Sequence, residues 1–191
     1  MKLSLKKISV FLIFIYLIIG IYLSLNTGIS HDEFHEQQNW TYNLQAIKDF
    51  FSTGEYANFL KFKDRYHGIG FHYLSQPIQY LFSSLVEKNF QISEYGGLLI
   101  SKHIAVFLIF FISGVFLFKI FKTIHNDNNF AFISTGIYYL FPYLLGHSLF
   151  NPKDIPFLSV WVICTYYIIK LIKGFKNNNH VTIKSLLTLS F

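Results

Sequence analysis

ISVFLIFIYLIIGIYLSL, residues 8–25, runs within a few residues into His31-Asp32-Glu33-Phe34-His35-Glu36. An apolar run of that length can cross the hydrocarbon core of a bilayer, so the acid and histidine cluster after it is expected at the membrane–water boundary. Three carboxylates and two imidazoles there imply a site, because charge close to lipid is costly and is seldom kept without use.

The 191 residues are 52% hydrophobic, 20% aromatic and 14% charged, and the apolar content falls in blocks, which excludes an ordinary soluble core. The blocks 8–25, 98–121, 130–149 and 155–172 predict four spans, the second interrupted early by Lys102 and His103. The expected fold class is therefore all-α: a polytopic membrane helix bundle. Lys2, Lys6 and Lys7 precede the first span, Lys119 and Lys122 close the second, and Lys170, Lys173 and Lys176 close the fourth. All these flanks lie on one side, which the positive-inside rule makes cytoplasmic. The formal charge of +6 then reflects topology and attraction to membrane lipids, and no nucleic acid is expected as a partner.

The first span has a basic start like a secretory signal, but it is longer than a signal core and lacks a small-x-small cleavage site before Asn26, so it reads as an uncleaved anchor. Cys164 lies inside the fourth span and has no partner for an internal disulfide. Asn126-Asp127-Asn128-Asn129 and Asn177-Asn178-Asn179 read as compositional bias, and Asn39-Trp40-Thr41 as a chance sequon outside a eukaryotic secretory pathway. Residues 182–191 restart an apolar pattern and stop, as a fifth span cut short would, so the chain reads as the N-terminal part of a longer protein.

The outward loop, residues 26–97, carries Trp40, Leu44, Ile47 and Phe51 at helical spacing, which predicts an interfacial amphipathic helix from Glu36. A second helix is predicted to start at Pro77, with a glycine-hinged aromatic loop, residues 66–73, between them. Asp32 and Glu33 can hold a divalent cation, or one can serve as general base to an acceptor hydroxyl while the other orients it. The plainer alternative is a solvated turn with Ser30 or Asp32 as helix cap. His31 and His35 share a helix face at i, i+4, a spacing that two metal ligands can use but that lacks the glutamate of a zinc-protease helix. The short outward loop supplies His147, Asn151, Lys153 and Asp154: a lysine for a phosphate, an acid for a cation.

A basic N-terminus, one span, an acidic pair opening a large outward loop, and a second acid between the third and fourth spans resemble the GT-C glycosyltransferases, in the branch of protein O-mannosyltransferases and lipid-A aminoarabinose transferases. The resemblance covers most of the chain in layout, but its motifs are only Asp32-Glu33 and residues 147–154. It implies Asp32 as catalytic acid or base with Glu33 beside it, and Lys153, His147 and Asn151 at the donor phosphate. It also implies a possible divalent metal at Asp154 and Asp32, the two acids forming one outward site. The implied donor is a polyprenyl-phosphate-linked sugar and the acceptor a hydroxyl of a lipid, glycan or protein. The location is multi-pass, in a bacterial inner membrane with the N-terminus cytoplasmic. Two other readings compete: a transporter or scaffold fragment in which Lys102 and Asp154 line a polar path, and a His-box di-iron desaturase or hydroxylase, which needs more clustered histidines than His31 and His35.

Overall fold

The computed structural model describes residues 5–176. These residues are all-helical, with no strand: α1 (Leu5–Leu25), α2 (His31–Thr53), α3 (Ala57–Leu60), α4 (Gly70–Phe90), α5 (Glu94–His125), α6 (Asn128–Leu140), α7 (Pro142–Ser148) and α8 (Asp154–Lys176). The apolar stretch expected as a fifth span lies outside the described residues. Glu94–His125 and Asp154–Gly174 are long and apolar enough to cross a membrane; Phe11–Leu25 is a shorter apolar helix. The chain divides into two compact units, Met1–Phe107 with Leu149–Pro152, and Leu108–Ser148 with Lys153–Phe191.

In the first unit α2 starts earlier than its apolar spacing predicts. Ser30 is extended (φ −84°, ψ 158°) and its N–H donates to Glu33 Oε1 at 2.7 Å, so the acidic cluster forms the first turn instead of a loop before it. The helix stops at Gly54, whose φ of +76° suits glycine and lets its N–H reach the Phe50 carbonyl at 2.9 Å. Of the expected apolar stripe only Trp40 is buried; Leu44 is half-buried and Ile47 and Phe51 are exposed.

Likewise α4 begins at Gly70, seven residues before Pro77, which lies within the helix on its exposed side. Phe71, His72 and Tyr73 are therefore helical and not part of a hinge. The reason is a stripe of the unexpected kind: His72, Ser75, Gln79 and Val86 are buried at helical spacing, while Tyr73, Leu74, Tyr80, Leu81 and Leu85 are exposed. The helix faces its polar side inward. Gly97 lets α5 pass close to α4, since a Cβ there would lie 2.9 Å from the Ser83 carbonyl. Gly20 of α1 makes room for the buried ring of Phe107 in the same way.

In the second unit Asn126 takes a left-handed conformation (φ 53°) and ends α5, and Asp127 caps α6 by accepting from the N–H groups of Asn129 (2.7 Å) and Phe130 (3.2 Å). The asparagine-rich run thus makes the turn between two helices. The block expected as one span over 130–149 yields α6 of 13 residues and α7 of seven. Phe141, held extended (φ −64°, ψ 117°) ahead of Pro142, separates them. Further along, Phe116 packs edge-on against Tyr166 (5.3 Å between centroids) and the Lys173 ammonium donates to the Thr123 carbonyl. The C-terminal ends of α5 and α8 therefore come together.

Adding a methyl group at Gly20 should overpack the contact with Phe107 and cost about 1–3 kcal/mol. Gly20→Ala should lower the melting temperature of the protein in lipid nanodiscs. Gly28→Ala, where a Cβ meets nothing within 4 Å, should leave it unchanged.

Candidate functional site

The first unit buries an unusual amount of polar chemistry. Glu33, Ser24, Ser75, Gln79, Ser101, Lys102 and His103 are fully buried, and Glu36, Gln37, Asn39 and His72 nearly so. Buried polar groups persist only if their hydrogen-bonding capacity is met, so each partner constrains the next.

Glu33 and His103 form a close contact, with Oε2 and Nε2 2.6 Å apart and both side chains wholly buried. His103 Nδ1 lies 2.9 Å from the Ser24 carbonyl, which can only accept, so Nδ1 carries hydrogen and donates. A single further proton then occupies the Nε2–Oε2 line, whether as imidazolium beside carboxylate or as acid beside imidazole. Glu33 Oε1 is taken by the Ser30 N–H at 2.7 Å. The one carboxylate thereby ties the end of α1, the start of α2 and the middle of α5 together.

A second network lies beside it in the same unit. Lys102 Nζ donates to Gln37 Oε1 at 2.6 Å and faces His72 Nδ1 at 3.2 Å. An ammonium only donates, so Nδ1 accepts and the His72 hydrogen sits on Nε2, directed toward Glu36 Oε2 at 3.8 Å. Burial holds His72 below its ordinary value of 6.5; Glu36 opposes that shift and the Lys102 charge adds to it. Gln79 Nε2 donates to the Leu98 carbonyl at 2.9 Å, which fixes the amide's orientation and leaves Oε1 buried without a hydrogen-bond partner. Trp40 covers His72, stacked at 5.8 Å between centroids, and is itself met edge-on by Tyr73 at 4.9 Å.

The expected site residues separate accordingly. Asp32 is exposed in the first turn of α2, whereas Glu33 beside it is engaged through both oxygens. Side by side in sequence, the two carboxylates point in different directions and do not form a joint cation cradle. His31 and His35 share an exposed face, their ring centroids 5.1 Å apart. Among the described residues no group of three or more His, Cys, Asp or Glu side chains is arranged to hold a metal ion. In the second unit His147 stacks on Tyr143 at 4.3 Å, and exposed Lys153 and Asp154 open α8, where the Lys153 carbonyl accepts from the Phe157 N–H at 3.3 Å. Asn151, half-buried, falls with the first unit. Lys102, placed by the transporter reading on a polar path, is instead fully enclosed by partners.

His72, Gln79, Gln37 and His103 are the residues that the sequence reading did not assign. Their signal was present as polar residues recurring at helical spacing, His72-Ser75-Gln79 and Glu33-Gln37, together with two basic residues inside an apolar run. The chain matches no family model, no curated protein and no solved structure.

Removing one member of the buried pair strands the other. Glu33→Ala should cost about 3–5 kcal/mol in reversible unfolding, and Glu33→Gln, whose amide can still accept from Ser30 and donate to His103 Nε2, should cost distinctly less. A pH effect follows from His72. Because folding lowers its affinity for protons, the unfolded chain protonates first as pH falls below 6.5. That contribution to stability is complete above 6.5 and is lost as pH falls through the folded-state value. Melting curves from pH 7.5 down to pH 5 should show a smaller acid loss in His72→Gln than in the parent.

Proposed function

We propose that this chain is a polytopic membrane glycosyltransferase of the GT-C kind, with a sugar moving from a polyprenyl phosphate to an acceptor hydroxyl on the outward face. The observation that carries the reading is the division of labour between neighbours: Asp32 is open to solvent, and Glu33, one residue on, is locked into the His103 pair beneath it. A general base must be accessible yet held in place, and a buried partner in the same helical turn does the holding. The inward polar stripe and outward apolar side of α4 support an interfacial position for the loop that bears the site.

In this mechanism Asp32 accepts the proton of the attacking hydroxyl as the new C1–O bond forms. The bond from C1 to the phosphate oxygen breaks, and the electron pair leaves with the lipid phosphate. Attack opposite the leaving group inverts the anomeric centre. By the resemblance to the family alone, Lys153, His147 and Asn151 would be the residues that meet the donor phosphate. A divalent ion at Asp154 would add positive charge there; the enclosed Glu33 leaves Asp32 without a neighbouring carboxylate to share one.

Asp32→Asn in the full-length protein should reduce transfer from a polyprenyl-phosphate hexose by at least ~100-fold while donor binding stays near normal. Lys153→Ala should mainly weaken donor binding. Near-normal turnover in Asp32→Asn would overturn the proposal.

A further inference from the structure

A groove of about 580 Å³ runs along the outer side of α2, lined by Phe34, Gln38, Thr41, Tyr42, Gln45 and Tyr95. All six lie in the first unit, apart from the buried histidine and lysine networks. The volume falls in the range of small-molecule clefts, roughly 300–1,000 Å³. We infer that this groove binds a neutral oligosaccharide.

The argument rests on the chemistry of the lining. The lining contains no charged side chain, and the acid bonded to Gln45, Asp49, would repel a phosphate or a carboxylated sugar. It combines three aromatic rings with two amides and three hydroxyls, those of Thr41, Tyr42 and Tyr95. Ring faces suit the C–H faces of pyranose rings, and amides, which both donate and accept, suit adjacent hydroxyl groups. The aromatic surfaces are braced before any ligand arrives: Phe34 and Tyr95 stack at 5.8 Å with 22° between planes, and Tyr42 rests on Phe62 at 4.2 Å. Such bracing lowers the ordering cost of binding. The Gln45 amide is aimed by its own hydrogen bond to Asp49 Oδ1 (2.7 Å), which leaves Oε1 to accept from a ligand hydroxyl. Gln38 is exposed, two helical turns away on the same face of α2.

As a binding site the groove stands on its own geometry; as the acceptor site of the transferase it rests on that proposal and narrows the acceptor to a glycan. The two are separable by experiment. The full chain in nanodiscs, without donor lipid, is titrated with neutral trisaccharides of glucose, mannose and N-acetylglucosamine, with a trigalacturonate, and with a serine- and threonine-rich peptide. At least one neutral trisaccharide should bind. Tyr95→Ala should weaken it by about tenfold, the loss of one stacking platform, and Gln38→Ala by a smaller factor, both with the parental melting temperature. Because the titration contains no donor lipid, binding is scored without transfer, and loss of the one is read independently of loss of the other. The inference is overturned if no neutral trisaccharide binds, if only the acidic sugar or the peptide binds, or if Phe34→Ala and Tyr95→Ala both bind unchanged.

Discussion

The proton between Glu33 and His103 is the constraint from which the first unit is built. Two ionisable groups fully out of water are tolerable only when each satisfies the other, and here the remaining atoms are committed as well, Oε1 to Ser30 and Nδ1 to Ser24. The result is a joint between three helices that cannot be shifted by one residue without stranding a charge. Register of α2 against α5 follows from it, and with it the placement of Gln37 under Lys102 and of Glu36 near His72.

Asp32 owes its position to the same joint. A carboxylate in a helix's first turn would ordinarily fray with the helix end. Because its neighbour Glu33 is anchored through both oxygens, the first turn of α2 is held in place. Polar interactions buried at this density also narrow the alternatives open to the chain, since a displaced packing would leave Lys102 or Gln79 facing hydrocarbon atoms.

Much of the architecture was legible in the sequence. The apolar blocks gave α1, α5 and α8, and Ser30, named as a cap candidate, is the N-cap of the helix that the acid cluster opens. What misled was the assumption that a helix buries its apolar side. Applied to α2 it placed the start at Glu36 and the stripe on Ile47 and Phe51, and applied to α4 it chose Pro77 over Gly70. Both helices are instead positioned by polar side chains, whose pairing is set by residues 30 to 79 positions away in sequence, beyond the reach of local spacing. Phe141-Pro142 was the opposite case: a local breaker was visible, but the continuity of the apolar block outweighed it in the reading, and the helix divides there.

The orientation of α4 changes what holds this unit together. In water the hydrophobic effect would drive Tyr80, Leu81 and Leu85 inward and draw His72 and Gln79 out, the reverse of what is found. Along α4 cohesion comes from electrostatics and hydrogen bonding, which strengthen as the medium becomes less polar, beside the apolar core that Leu99, Ile104, Val106 and Phe107 of α5 supply. Hydrogen bonds enclosed in this way hold best where little water competes for them, so the order of this unit depends on how completely its polar interior is shut off from solvent.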